Sequence, residues 1–506
     1  MLMTPEAILV SLLTPAVVVG WLLAPYLLAF FGALVPELGE WPLLLCCLAT
    51  VLMALPSLLL GESISLNLVG SNGISLSIDA TAAWFLLLNG VVLGATRLAS
   101  RNLEGASGPL VPAVMLGGLN TCFVVTDLIS LYVALEVVGI AAFLLQLRRE
   151  APRSFWIALR YLLVASTAMT LYLIGTGLVY VRTGSFSMEA LAGLELGSAQ
   201  VLILLGLFSK GGLFLPGLWL PRSHAAARPE VAALHSGVVV TAGVLPLLRL
   251  MQIDPGLTPL VRWIGIASAV LGLLRALTET DLRRLLAWST LSQMGLVALS
   301  PMAGGLMAFA HGLGKALLFL MSGGVDSTHL NSWRQRPLPA RLQVPLWIGS
   351  LSIAGFPWLI GSIAKSELES ALPPFWAAAV LLASIGSVAV YARLWGAPWC
   401  APNGSNKGSN AVQSPSGGSI TLLVVVLIGA SALISLAVAP SHDAEKLAVT
   451  GLIFALGLLL DRGLQRWRPA LERRWPDLES LQDLIGSLAV VGAGMLLSLH
   501  VMEGWG

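Results

Sequence analysis

Charged side chains are scarce in this chain. Only 11% of its 506 residues are Asp, Glu, Lys or Arg, whereas 57% are hydrophobic, and the mean hydropathy is +0.86. A water-soluble domain of this size carries far more charge and needs far less apolar surface to build a core. The composition therefore excludes a soluble globular protein and predicts a chain surrounded mostly by lipid.

The net charge and the cysteines are equally sparse. A formal net charge of +2 gives no basis for binding nucleic acid. The four cysteines, Cys46, Cys47, Cys122 and Cys400, have none of the spacings that hold zinc or iron–sulfur clusters. No Gly-x-Gly-x-x-Gly motif follows a strand. We therefore predict no metal centre and no cofactor, and no oxidation of NADH by this chain itself.

Long apolar runs are what the sequence has in abundance. Runs of about 18 residues or more, enough to cross about 30 Å of hydrocarbon, recur from end to end. We expect an all-α integral membrane protein with about 14 and up to 16 transmembrane helices, because the first run and the short run at 446–461 are ambiguous. The first run lacks a basic leader and a cleavage site, so we expect a retained helix. The predicted spans are 7–34, 41–60, 78–97, 109–126, 127–147, 155–181, 199–220, 228–250, 257–278, 284–301, 303–324, 343–363, 373–396, 419–440, 446–461 and 482–501.

Basic residues fall in alternate loops between these runs. Because cytoplasmic loops carry an excess of Lys and Arg, this alternation supports the spans and places both chain ends on the outer side. The basic loops contain Arg97 and Arg101; Arg148, Arg149 and Arg153; Arg222 and Arg228; Arg283 and Arg284; Arg334, Arg336 and Arg341; Lys407; and Arg462, Arg466, Arg468, Arg473 and Arg474.

A small set of ionisable side chains lies inside the predicted spans. A charge near the middle of a membrane helix costs about 2.5–3.5 kcal/mol, so each needs a partner, a water-filled cavity or a function. A nearby carboxylate favours a charged lysine, so a Lys–Glu pair can change protonation as its separation changes. A static ion pair with satisfied histidines is the alternative, but it does not require three lysines. The candidate proton-path residues are Glu136, Lys210, His235, His311, Lys315 and Lys365.

Glycine and proline surround two of these lysines. Lys210 precedes Gly211, Gly212 and Pro216, and Lys365 follows Gly355, Pro357 and Gly361. Both lysines are therefore expected in interrupted helices, which occur at membrane depth where backbone lines a cavity. An ordinary proline kink is the alternative.

Several segments resemble one known family. Residues 126–136, Thr-Asp-Leu-Ile-Ser-Leu-Tyr-Val-Ala-Leu-Glu, resemble the acidic helix of the antiporter-like subunits shared by respiratory complex I and the multisubunit Mrp sodium/proton antiporters. Residues 210–221, which end in Trp-Leu-Pro, are similar to that family's lysine helix, and 233–244 to the helix that follows it. The most specific match is 280–295, Thr-Asp-Leu-Arg-Arg-Leu-Leu-Ala-Trp-Ser-Thr-Leu-Ser-Gln-Met-Gly. Residues 311–320 and 355–367 complete the series.

The resemblance implies two inverted five-helix repeats, each with a broken helix that carries a lysine. By that analogy Glu136 and Lys210 form the switch of one half-channel, His235 with Lys315 or His311 connects the halves, and Lys365 gates the other. The implied division is N-terminal transmembrane helices at 1–108, a first repeat at 109–250, a second at 257–396, a flexible linker at 397–418, and C-terminal helices at 419–506 with an Arg-rich cytoplasmic segment at 461–483.

Four residues depart from the family's pattern. Arg222 stands where an acidic residue usually follows Trp-Leu-Pro, and Thr241 where many members carry a lysine. Met307 replaces a first histidine, and Pro216 comes one place late. These departures affect the route expected between the two half-channels.

The resemblance implies a proton- or cation-translocating subunit of an Mrp-type antiporter. The chain resembles the D-type subunit, or the complex I subunits of similar size, more than the longer subunit with a lateral helix. Its partners would be other membrane subunits, protons and Na⁺, in a plasma membrane or another energy-coupling membrane. The alternatives are the proton-pumping arm of a complex I-type NAD(P)H:quinone oxidoreductase, a proton-coupled subunit of an inorganic-carbon uptake complex, and a structural anchor.

Overall fold

A computed structural model of the protein describes residues 13–35, 39–68, 73–99, 110–147, 152–195, 197–334, 338–396, 417–437, 444–468, 470–471 and 476–503. Nearly all of the predicted linker at 397–418 lies outside these residues. The helices are α1 Pro15–Leu34, α2 Trp41–Leu59, α3 Ala80–Ala99, α4 Leu110–Val124, α5 Leu128–Gln146, α6 Pro152–Thr183, α7 Ser198–Lys210, α8 Leu220–Ala226, α9 Pro229–Leu234, α10 Thr241–Ile253, α11 Thr258–Thr278, α12 Leu282–Val297, α13 Gly304–Met321, α14 Ala340–Ala354, α15 Ile360–Ser370, α16 Pro374–Trp395, α17 Gly417–Ala437, α18 Ala444–Leu464 and α19 Leu481–Glu503.

Twelve helices in the described part of the chain are long and apolar enough to cross a membrane, and the bent pair α7–α8 would make a thirteenth. Three of the helices continue the preceding one after a break, so the nineteen helices amount to sixteen successive segments at the sixteen predicted positions. The predicted all-α, multi-pass membrane fold is confirmed, and the predicted count of about 14 is roughly matched.

The loop between α2 and α3 holds a short β-hairpin that was not predicted. Strands β1 Ile64–Asn67 and β2 Ser75–Ile78 pair antiparallel, with Ile64 opposite Ile78. Arg249 of α10 fixes the hairpin to the bundle, because its guanidinium donates to Ser77 O at 3.0 Å and to Val125 O at 2.8 Å.

Two five-segment units, α4–α10 and α11–α16, repeat the same local structure. Asp127 caps α5 by accepting the Ser130 N–H at 2.7 Å, and Asp281 caps α12 by accepting the Arg284 N–H at 3.0 Å. Each aspartate also forms a bridge with a segment that follows the next helix, at Ser187 and His329 respectively. The two units correspond in sequence to the two predicted repeats, 109–250 and 257–396.

Each repeat contains a broken helix. In the first, α7 ends at Lys210 and a 3₁₀ turn, Leu215–Gly217, precedes α8. In the second, α14 ends at Ala354 and is capped by Gly355, whose φ of +92° is the left-handed conformation that glycine adopts without strain. The next helix, α15, starts at Ile360. The predicted interruptions are both present.

The centre of the bundle is formed by α9–α10 and α13. Every residue in the most apolar windows of Pro229–Ile253 and Gly304–Gly324 is buried within the chain. A π turn, His235–Val239, joins α9 to α10. It crosses α13 closely, because a Cβ on Gly312 would lie 2.6 Å from Gly237 O. The two innermost helices therefore bring His235, His311 and Lys315 to the middle of the protein.

Candidate functional site

Glu136 and Lys210 form an ion pair at the break of the first repeat. Lys210 Nζ lies 3.5 Å from Glu136 Oε1 and donates to Leu135 O at 3.0 Å. The lysine side chain is 7% exposed and the glutamate 24% exposed. The ammonium group is thus almost withdrawn from solvent, and the Glu136 carboxylate is the charge that balances it.

Glycines determine how closely the ammonium is held. A Cβ on Gly139, one turn beyond Glu136 on α5, would lie 2.7 Å from Lys210 Nζ. A Cβ on Gly243 of α10 would collide with Gly211 N, immediately after the lysine. Only a hydrogen fits at Gly243, which meets backbone, whereas a Cβ at Gly139 would displace the lysine ammonium. The helices α5 and α10 thus enclose the break from two sides.

A buried histidine pair lies next along the first repeat. His235 begins the π turn, and its Nδ1 lies 3.0 Å from Gln146 Nε2, which also donates to Ser223 Oγ at 2.7 Å. The His224 ring centroid lies 5.8 Å from that of His235, and both side chains are 0% exposed. Sequence reasoning missed His224, because it assigned 221–227 to a basic loop rather than to α8.

Two aromatic rings join the ion pair to the histidines. Trp219 donates its indole N–H to Ser209 O at 2.8 Å, the carbonyl that immediately precedes Lys210. Its ring packs 4.8 Å from that of Tyr161, and Tyr161 lies 6.1 Å from the His235 ring.

A second group, which we name the central cluster, surrounds Lys315. It consists of Ser236, Ser289, Thr290, Lys315 and Tyr391. Lys315 Nζ donates to Leu286 O at 2.7 Å and to the Tyr391 hydroxyl at 2.9 Å, and Thr290 donates to the same Leu286 carbonyl at 3.0 Å. Ser236 Oγ lies 2.6 Å from Thr290 Oγ1, so the cluster extends to the residue next to His235.

His311 lies one helical turn before Lys315 and is 2% exposed. It lies beside the Ser236 backbone, which places it at the same crossing of α13 and the π turn. Two sequence candidates were named for the connection between the half-channels. Lys315 belongs to a connected set of hydrogen bonds, whereas His311 lies beside Ser236, at one end of that set.

Lys365 lies at the break of the second repeat. Its Nζ donates to Ala354 O at 3.0 Å, the last carbonyl of α14, and its side chain packs on Gly355. Glu369 follows one turn later on α15 and interacts electrostatically with Lys365. Sequence reasoning named Lys365 and missed Glu369.

The family departures have defined places. Thr241 donates to Val238 O at 2.6 Å within the helix that follows the π turn, Met307 is buried at 2% exposure, and Pro216 lies in the 3₁₀ turn. Arg222 pairs with Asp477 at 2.7 Å and with Glu479 at 3.1 Å, both from the segment before α19. Its partners therefore come from the far end of the chain.

Arg222 belongs to a group that we name the arginine cluster, together with Arg160 and Arg284. Arg284 pairs with Glu479 at 2.7 Å and with Glu279 at 3.0 Å, and Arg160 donates to the Glu479 carbonyl. Burial alone would raise the pKa of Asp477, but the Glu479 backbone N–H and the Arg222 charge outweigh it and lower that pKa. In the described part of the chain, no three His, Cys, Asp or Glu side chains converge in a way that could hold a metal ion.

Relatives of known identity share part of this chain. Hydrogenase-4 component B of Escherichia coli (strain K12) is 27% identical over 74% of this chain and 64% of its own length. The D subunit of the Na(+)/H(+) antiporter of Alkalihalophilus pseudofirmus is 28% identical over 50% of this chain and 57% of its own. The N subunit of the NADH-quinone oxidoreductase of Desulforudis audaxviator is 30% identical over 58% of this chain and 65% of its own. The chain thus spans less than two thirds of each.

Two solved structures share the fold. A chain of the membrane-bound sulfane sulfur reductase, described as an archaeal respiratory membrane complex, superposes with a TM-score of 0.68 at 22% identity and covers 95% of this chain and 100% of its own. A chain of the Mrp complex from Dietzia sp. DQ12-45-1b superposes with a TM-score of 0.74 at 21% identity and covers 96% of this chain and 61% of its own.

The family model described as NADH:quinone oxidoreductase/Mrp antiporter, transmembrane, matches residues 125–389, slightly more than half of the chain. That span contains all six candidate residues and both broken helices. This chain therefore belongs to the NADH:quinone oxidoreductase/Mrp antiporter transmembrane family, as the sequence motifs indicated.

Proposed function

We propose that this chain is a proton-translocating membrane subunit of a multisubunit monovalent cation/proton antiporter. The observation that carries the proposal is the Glu136–Lys210 pair, 3.5 Å apart at a helix break and nearly enclosed by the bundle. An ionisable pair held at membrane depth is a functional feature by default, because a purely structural core avoids its desolvation.

In this proposal the pair is the switch of the first half-channel. The Glu136 carboxylate favours the charged form of Lys210, and separation of the two removes that support. The proton released then passes by way of His224 and His235 to the central cluster. Lys365 completes the route at the break of the second repeat.

The relatives support an antiporter assembly. The Na(+)/H(+) antiporter relative aligns over half of this chain, and the Mrp chain has the same fold. We infer that the partners are other membrane subunits, and that the ions are protons and Na⁺.

A second candidate is a subunit of a respiratory membrane complex whose redox centres lie in other chains. The structural match supports it, because the match covers the sulfane sulfur reductase chain completely and 61% of the Mrp chain. The alignment with Hydrogenase-4 component B is also longer, at 432 residues, than that with the Na(+)/H(+) antiporter relative, at 282 residues.

Purification of the chain with its native partners separates the two candidates. Small membrane subunits alone, together with sodium-driven proton movement in proteoliposomes, would support the antiporter. Iron–sulfur proteins in the purified complex, with proton movement that requires an electron donor, would replace it with the respiratory complex. Absence of proton movement from the complete complex under both conditions would refute both.

A further inference from the structure

The segment before α19 closes one end of the first repeat. Residues 476–480 lie against the arginine cluster, and Glu479 is the residue most enclosed there, with a side chain 5% exposed. Glu479 pairs with Arg222 of the first repeat and Arg284 of the second, so one carboxylate joins both repeats. Asp477, in contrast, has a side chain 68% exposed.

Two cavities meet at this carboxylate. The outer cavity has a volume of about 250 Å³ and a wall of charged and polar groups that includes Arg275, Glu279 and Asp477. The inner cavity, of about 10 Å³, has room for about one water and is bounded by Tyr161, Leu218 and Trp219. Arg222 and Glu479 are the residues common to both walls, so their ion pair separates the two spaces.

The inner cavity borders the histidine pair. Tyr161 packs against His235, and the Trp219 ring centroid lies 5.9 Å from that of His224. Between the outer cavity and the histidines, the Arg222–Glu479 pair comes first and these two rings follow. The alternation of basic loops predicts that this end of the bundle faces the cytoplasm.

We propose that Glu479 is a positioning residue of the proton path, and that its pair with Arg222 is a gate at the cytoplasmic mouth of the first half-channel. In the closed state the Glu479 carboxylate holds residues 476–480 over Tyr161 and Trp219. When the pair opens, water from the outer cavity reaches the inner one and the histidines. The role of the gate in transport rests on the proposed function, but the gate itself controls only the access of water to the inner cavity.

Water access is measured with a cysteine at Leu218, which is buried at 2% exposure in the wall of the inner cavity. The assembled complex carrying Leu218→Cys is labelled from the cytoplasmic side with a membrane-impermeant methanethiosulfonate, alone and together with Glu479→Gln. Loss of a charge-assisted pair shifts the closed–open equilibrium by at least about tenfold, so we expect the labelling rate to rise by at least about tenfold. The parent without Leu218→Cys measures labelling of the native cysteines.

Asp461→Asn is the matched control, because Asp461 is a buried carboxylate, 10% exposed, that pairs with Arg468 and lines neither cavity. Combined with Leu218→Cys, this control should label at the rate of Leu218→Cys alone. If Glu479→Gln lowers the yield of assembled complex, Glu479→Asp keeps the charge on a shorter side chain and should label at an intermediate rate. Labelling of both Glu479 variants at the rate of Leu218→Cys alone would overturn the gate. Because labelling needs no transport, the result is independent of the test of the proposed function.

Discussion

Replacement of Glu136 by glutamine tests the proposed switch most directly. At an effective dielectric constant of about 20, two unit charges at the observed 3.5 Å attract by about 5 kcal/mol. Removal of one partner from a buried pair costs about 3–5 kcal/mol, and the partial exposure of Glu136 favours the lower end of that range. A difference of about 3 kcal/mol corresponds to about two powers of ten in an equilibrium constant. We therefore expect proton transport to fall by at least about tenfold.

The assay is fluorescence quenching of a pH-sensitive dye in proteoliposomes that contain the complete complex. Glu189→Gln is the matched control, since Glu189 is an exposed residue of the loop after α6. Lys210→Ala should be at least as impaired as Glu136→Gln. The double variant should be no slower than Lys210→Ala alone, because the two residues share one interaction and their losses are not additive.

Wild-type transport by Glu136→Gln, at equal content of assembled complex, would refute the reasoning. Additive losses in the double variant would refute it in part, because they would show that the two residues act independently.

Three further changes test other contacts of the path. Gly139→Ala would place a Cβ 2.7 Å from the ammonium of the ion pair, so proton transport should fall several-fold with the fold retained. Gly177→Ala, with open space around it, should leave transport unchanged. Equal transport by the two variants would contradict the packing. Tyr391→Phe removes the hydroxyl that accepts a hydrogen bond from the lysine of the central cluster. Loss of this hydrogen bond costs about 1–3 kcal/mol and should slow transport, while circular dichroism shows no loss of helical content. An unchanged rate would exclude that hydroxyl from the path. The carboxylate of Asp477 has a pKa below its ordinary value of 3.8, so its contribution to stability is full at neutral pH and is lost as the pH falls through the lowered pKa. Between pH 6 and about pH 3, the melting temperature of Asp477→Asn should therefore decrease less than that of the wild type. An equal decrease in the two proteins would exclude the ion pair.

The membrane spans were predictable because their signal is local. An apolar run of sufficient length must form a helix in lipid, since no water is present to bond its backbone. Predicted and observed positions therefore agree closely, for example 127–147 against Leu128–Gln146. The breaks at Lys210 and Lys365 were predictable for a similar reason, because Gly and Pro lie beside them.

The hairpin was missed although its signal was present. Ile64-Ser-Leu-Asn and Ser75-Leu-Ser-Ile each alternate apolar and polar residues, which is the pattern of a half-buried strand. Each segment has only four residues, however, and lies between two strong membrane helices.

His224 and Glu479 were missed because their burial depends on distant parts of the chain. Arg222 and Arg228 flank His224 closely in sequence, which is typical of an exposed cytoplasmic loop. Glu479 lies in the Arg-rich segment at 461–483, which was expected to be cytoplasmic. Neither local pattern shows that 476–480 closes over α8. The one available signal was Arg222 itself, a basic residue at a position where the resemblance expected an acid, and therefore in need of a partner.

The π turn at His235–Val239 gives the buried core a way to rotate. It is held by a hydrogen bond from the Val240 N–H to the His235 carbonyl, and it contains one residue more than an α-helical turn. Passage of that additional residue along the helix would swing each side chain it crosses by about 100°, the angle between successive residues of an α-helix. His235 and Ser236 could then exchange neighbours while both ends of the segment stay in place. Proton transfer between the half-channels would then require only a twist of one inner helix, with no displacement of the surrounding bundle against lipid.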